Sequence, residues 1–245
     1  MFSGLLLLPV ILIIFVATIF RSAFGESLVA VPLLALFMPL EMAVPLSVLI
    51  SVTIAGFVVV QDRKKIHLKS AGRLILYAVI GIPLGLWLLV HAEESLVKLF
   101  LGAIIAIFAI YLLSGSRLKE LTADDERWLF GCGLLSGILG GAYGINGPPL
   151  VVYGAKRRWS AQHFRATLQA YFLIASLVGV IGYWWNGLIN VTLFRDYFWS
   201  LPAVVPAILI GRYINARLQG EQFFKYSYWV LLGLGLLLIG DTLIR

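Results

Sequence analysis

Charge and cysteine are both scarce in this chain. Only 13% of its 245 residues are Asp, Glu, Lys or Arg, against roughly a quarter in a soluble globular domain. No polar segment exceeds about 15 residues, so a separate water-exposed domain is excluded. The single cysteine, Cys132, rules out an intramolecular disulfide. Flanked by Gly131 and Gly133, it reads as a small packed residue of a helix. The histidines at 67, 91 and 163 are too scattered to make a metal set. GxSxG, a P-loop and a protease-type aspartate pair are all missing, so no enzyme activity, metal or cofactor is expected.

What the chain has instead is apolar length. Hydrophobic residues make up 61% of it, and mean hydropathy is +0.97. A bilayer crossing takes roughly 20 predominantly apolar residues. Spans are expected near residues 40–60, 74–90, 96–113, 166–185, 197–211 and 226–240, with further apolar stretches at 2–20, 28–40, 128–139 and 148–153. The first stretch lacks the basic start and small-residue cleavage site of a signal peptide before Arg21. Trp184, Trp185 and Trp199 suit an interfacial aromatic belt.

The pI of about 9.6 needs no nucleic acid to explain it. Fifteen of the nineteen Lys and Arg residues fall in the segments 61–73, 114–128, 155–165 and 212–225. Lys98 and Arg195 stand in the intervening turns, Arg245 at the C-terminus, and Arg21 alone in an apolar region. By the positive-inside rule the four basic segments are cytoplasmic, in a multi-pass protein of the inner membrane. Residues 73–117 then go out and back, as do 165–212. Residues 128–155 also start and end on the cytoplasmic side, yet as helix they cover only about 42 Å. Two crossings need about 60 Å before any turn, so this segment is expected to enter, break and return. The break is GGAYGINGPP, residues 140–149.

A second copy of the break lies near the N-terminus. SAFGES (22–27) aligns with GAYGIN (141–146), and the spans that follow align at nearly the same offset. Basic residues invert between the copies: the 61–73 turn is basic where its counterpart 186–196 holds one Arg, and MPLE (38–41) has none where 155–165 holds four. The expected fold is an all-α integral membrane protein occupying residues 1–245 as one domain. It contains two inverted structural repeats (about 1–114 and about 128–245), each a broken, re-entrant helix hairpin plus three transmembrane helices. Inverted repeats whose broken helices meet at mid-membrane are a transporter design.

These residues also carry a family resemblance. Gly140, Gly141, Gly144, Gly147 and Pro148, with a degenerate first-half partner at Gly25 and Val31-Pro32, resemble the motifs of the sulfite/sulfonate exporter family TauE/SafE. The resemblance covers essentially the whole chain. It implies secondary transport of a small anion, often a sulfur oxyanion or organosulfonate of the sulfite, thiosulfate or sulfoacetate type. First-half Gly25-Glu26-Ser27 departs from the glycine-rich run usual in the family.

The chemistry of the breaks suits an anion independently. Helix N-termini offer unpaired N–H groups and partial positive charge. Gly25, Gly144 and Gly147 would let backbone approach the ligand, with Ser22, Ser27 and Asn146 adding polar contacts. Close packing of small residues is the competing explanation. Arg21 is a candidate counter-charge, and Glu26 a candidate proton carrier or simply the structural partner of Arg21. Thr167, Gln169 and Tyr171 adjoin the second hairpin; Thr167 and Tyr171 share a helix face, as do Ser47 and Ser51 in the first half. Tyr143 and Tyr153 are weaker candidates, His163 reads as surface and Asp241 as interfacial. The expected partners are a small anionic solute and the lipid bilayer, with homo-oligomerisation left open. Two rivals remain: a lipid-handling protein or membrane enzyme with Glu26 and Arg21 as its polar centre, and a scaffold in which the glycine breaks serve folding alone.

Overall fold

A computed structural model describes residues 4–24, 28–62, 68–114, 120–121, 125–159, 161–217 and 221–244. All regular structure among the described residues is helical: α1 (Gly4–Phe24), α2 (Ala30–Ala35), α3 (Leu40–Asp62), α4 (Leu68–His91), α5 (Glu94–Leu113), α6 (Glu126–Tyr143), α7 (Gly147–Lys156), α8 (Ala161–Trp185), α9 (Val191–Arg217) and α10 (Glu221–Ile244). A long helix, a short one and three long ones thus occur in that order twice.

The helices form where apolar runs are long. Five contain stretches able to cross a bilayer: Leu40–Phe57, Gly72–His91, Glu94–Leu113, Thr167–Trp185 and Val191–Gly211. Their ends follow local chemistry. Asp125 caps α6, its carboxylate accepting from the Arg127 N–H at 2.9 Å. Gly144 closes α6 in the left-handed region at φ 64°, where a side chain is strained, and its N–H bonds the Gly140 carbonyl at 2.9 Å. Pro148 and Pro149 then stand in the first turn of α7, where a missing N–H does least harm. Large apolar side chains such as Trp87, Ile107 and Leu209 are exposed on the outside, as lipid contact requires.

Glycine sets how closely the helices pack. A Cβ on Gly85 would fall 2.0 Å from the Ile138 carbonyl oxygen, one on Gly81 2.3 Å from that of Leu134, and one on Gly141 2.2 Å from that of Ile82. These contacts progress in the same sense along α4 and α6, which therefore run parallel. Gly102 of α5 and Gly235 of α10 meet just as closely, each Cβ position 2.8 Å from the other's carbonyl oxygen. In the absence of a hydrophobic drive within lipid, such close approach is what holds membrane helices together.

The pairing of elements follows a pattern. α1 packs on α9 and α4 on α6; α3 packs on α8 and α5 on α10. The Cβ position of Gly179 lies 3.8 Å from Val48, and that of Gly56 3.9 Å from Leu173, so α3 and α8 run antiparallel. α5 and α10 do too, since Gly102 meets Ile239 while Ala106 meets Gly235. The six long spans read from the sequence coincide with α3, α4, α5, α8, α9 and α10, and the break at 140–149 with the α6–α7 junction.

Candidate functional site

Near the end of α1, Arg21 is 5% exposed in a helix otherwise apolar. A buried guanidinium is expected to meet a carboxylate, yet among the described residues Arg21 has none. Its Nη1 donates to the Ser51 hydroxyl, its Cζ lies 5.2 Å from the centre of the Phe172 ring, and its Nε has no hydrogen-bond partner. It lines a narrow cavity of about 20 Å³ walled by α1, α2 and α3. Thr18, Ser47 and Ser51 contribute hydroxyls there, and Ile14, Leu34 and Ile54 apolar walls. A buried cation beside several hydroxyls, with no carboxylate partner among the described residues, is an environment that favours an anion.

The second half offers polarity without charge. Asn146 occupies the N-cap position of α7 but makes no capping hydrogen bond, and its Oδ1 is buried without a partner. Gln169, on α8, is 2% exposed with its Oε1 likewise unpartnered. Around them the backbone is firmly tied. Ser136 of α6 donates to the Asn146 carbonyl at 2.6 Å and accepts from the Tyr171 hydroxyl at 2.9 Å. Tyr183 directs its hydroxyl at the Gly140 and Gly141 carbonyls, at 3.0 and 2.9 Å, in the last turn of α6.

The two halves meet. A Cβ on Gly144 would lie 2.9 Å from Val48 of α3 and 3.8 Å from Val31 of α2, so the break of the second half rests on the short helix of the first. One turn of α8 touches both sides: Phe172 underlies Arg21, and Tyr171 reaches Ser136. The Arg21–Ser51 contact ties α1 to α3, and the Tyr171–Ser136 contact ties α8 to α6.

Other sequence-derived candidates fall as follows. Thr167 is buried on α8 at 2% exposure. Gly147, which opens α7, is buried but has nothing within 4 Å of its Cβ position among the described residues. The N–H of Gly144 is already taken by Gly140, and its part is to turn the chain. Two donors are missing from the first turn of α7 because Pro148 and Pro149 carry no N–H. α2, at six residues, is too short to contribute a helix-end field, which shifts the weight in the first half to Arg21. Gly25, Glu26 and Ser27 lie outside the described residues, as does the side chain of Ser22, whose backbone belongs to α1. Tyr153 is buried against Trp159, and Cys132 is a buried free thiol in α6. Ser136, Phe172, Tyr183 and Thr18 escaped the sequence reading; Tyr183 heads the run YWW, whose two tryptophans are exposed at 67% and 83% while the tyrosine points inward.

A family model described as Sulfite exporter TauE/SafE matches residues 10–238. A protein of Cupriavidus necator named "Probable sulfite/organosulfonate exporter TauE" is 27% identical over 158 residues, which cover 64% of this chain and 60% of that protein. The chain thus spans less than two thirds of that relative's length. No solved structure matches at a significant level. The family match runs from Val10 in α1 to Leu238 in α10 and embraces both breaks, and this multi-pass membrane protein belongs to the sulfite exporter TauE/SafE family, a family of transporters rather than enzymes.

Proposed function

We propose that the chain carries a small sulfur oxyanion or organosulfonate across the membrane through a site between the two breaks. The observation that carries this reading is Arg21: a buried cation with hydroxyl and aromatic neighbours, a free Nε and no carboxylate among the described residues. A sulfonate or sulfite supplies acceptor oxygens in the geometry a guanidinium binds best. Thr18, Ser47 and Ser51 would add donors from the first half, and Asn146, Gly147, Thr167 and Gln169 from the second, with Ser22, Gly25 and Ser27 completing the first break. Tyr171 would hold the second break in place through Ser136.

The two halves are proposed to be inverted repeats. Equivalent helices would then cross antiparallel on a two-fold axis in the membrane plane, as α3 and α8 do, and α5 and α10. The exchange of partners between α1–α9 and α6–α4 fits the same operation. With the basic segments on the cytoplasmic side of the inner membrane, rocking of one half against the other would expose the site alternately. Glu26, next to that site in sequence, is proposed as the proton-coupling group, since a carboxylate close to a bound anion is tolerated best when protonated.

Purified protein in proteoliposomes tests this with sulfite, thiosulfate, sulfoacetate and taurine, and a carboxylate as control. Saturable flux of a sulfur oxyanion or sulfonate that Arg21→Gln abolishes is expected. Glu26→Gln is expected to retain anion exchange while losing the response to an imposed pH gradient; an unchanged response would remove Glu26 from the coupling. No flux from well-folded protein would reopen the substrate class and bring forward a lipid-handling role.

A further inference from the structure

Among the glycines of the break, Gly140 stands apart in what surrounds it. Gly137 and Gly141, on the same helix, lack a Cβ because α4 fills the space: their Cβ positions fall 2.3 and 2.2 Å from the carbonyl oxygens of Ala78 and Ile82. At Gly140 the nearest atoms belong to one side chain. Asn146 places Oδ1 1.8 Å from the Cβ position, Cγ 2.8 Å away and Nδ2 3.3 Å away. The Asn146 carboxamide therefore occupies the place a Gly140 side chain would take. Its oxygen is turned inward, where Oδ1 has no hydrogen-bond donor. A glycine Cα–H is a weak donor that suits an oxygen and repels an NH2 group, so the contact itself fixes which way the amide faces. The nitrogen is the farther of the two amide atoms from Gly140.

We infer that Gly140 is a positioning residue that seats the Asn146 carboxamide with its NH2 group presented to the anion. This deepens the transport reading and rests on it. Gly140 touches no substrate in this scheme. It acts by leaving room, while Tyr183 and the Gly144 N–H hold its carbonyl and with it the end of α6. Both functions converge on a carboxamide rather than a charge: the second half then grips the anion by a donated hydrogen bond that is weak enough to release it.

A four-protein cycle decides the matter: wild type, Gly140→Ala, Asn146→Ala and the double variant, compared by melting in detergent and by sulfite and sulfoacetate flux in proteoliposomes. Gly140→Ala is expected to lower the melting temperature in the native background and to cost little once Asn146 is shortened. Gly141→Ala, facing Ile82, should cost the same in both backgrounds. In flux, each single variant is expected to raise KM about tenfold with maximal rate changed less than twofold, and the double variant to be no worse than either single. Should Gly140→Ala fail to fold while the double variant folds, the pairing is upheld and the KM comparison passes to Asn146→Ala and the double. Penalties that multiply, or a Gly140→Ala melting loss that persists in the Asn146→Ala background, would overturn the inference. Wild-type protein without anion flux would instead refute the transport reading and the positioning role with it, leaving the melting cycle to judge the contact alone.

Discussion

At the scale of single residues, the site is defined by what its polar groups leave unused. Arg21 keeps a free Nε, and Asn146 and Gln169 each keep an orphaned oxygen, although all three are buried. Burying a polar group without a partner is unfavourable by about 1–3 kcal/mol. The oxygens of an anion would relieve this at the donor Nε of Arg21, whereas the Asn146 and Gln169 oxygens are acceptors that an anion does not satisfy. Replacing Arg21 by Gln removes a charge-assisted contact of about 1.5–3 kcal/mol, and transport should fall by roughly 10- to 150-fold, a loss that takes the saturable flux to the level of passive leak. Arg21→Lys keeps the charge but not the planar fork and should fall between the two; initial rates of sulfonate uptake measure both. Tyr183→Phe withdraws the hydroxyl from two carbonyls at the end of α6, and a loss of about 1–3 kcal/mol is expected on unfolding in denaturant. An unchanged midpoint would mean that water or another group serves those carbonyls. Arg21 and Asn146 were visible in the sequence because a lone cation in an apolar run and an Asn before a Gly-Pro pair each break a pattern. Tyr183 and Ser136 were not, because a tyrosine ahead of two tryptophans and a serine among glycines match the ordinary grammar of a membrane helix.

At the scale of elements, the breaks and the close helix pairs are separate uses of glycine. Gly141, Gly137 and Gly133 bring α6 against α4, Gly144 turns the chain, Gly140 makes room for Asn146, and buried Gly147 has room at its Cβ position among the described residues. Spacing alone could not divide them: all belong to one glycine-rich string, and their roles depend on what lies across the interface. Gly141→Ala should destabilise the α4–α6 pair by about 1–3 kcal/mol through overpacking, whereas Gly147→Ala should melt within a degree or so of wild type. Thermal unfolding in detergent compares them, and equal losses would mean that position 147 is packed after all. The six long helices were legible from their apolar length, which no short-range interaction competes with in a bilayer. The short α2 and the donor-depleted start of α7 were less so, since donor counts at a helix end depend on where its first turn begins.

At the scale of the whole molecule, the arrangement unites two similar halves around α3 and α8. On the proposed inverted-repeat arrangement, turning one half over would carry a basic loop to the face where the other half has a bare turn. In a Cys132→Ser background, Lys65→Cys should react with membrane-impermeant thiol reagents only from the cytoplasmic side, and Asn190→Cys, at an exposed position before α9, only from outside. Labelling of both from one side would contradict the inverted arrangement. The division of chemistry is unequal, with a cation and hydroxyls in one half and carboxamides in the other. On the proposed route an anion passing between them would meet one strong and one weak grip, a combination that would permit both binding and release.

The most direct measurement is uptake of sulfite and a small organosulfonate into proteoliposomes by wild-type protein and by Arg21→Gln, with equal folding of the two established by melting. Saturable flux in the wild type, lost in the variant, is the predicted result. Equal flux through both proteins would contradict an anion site built on Arg21.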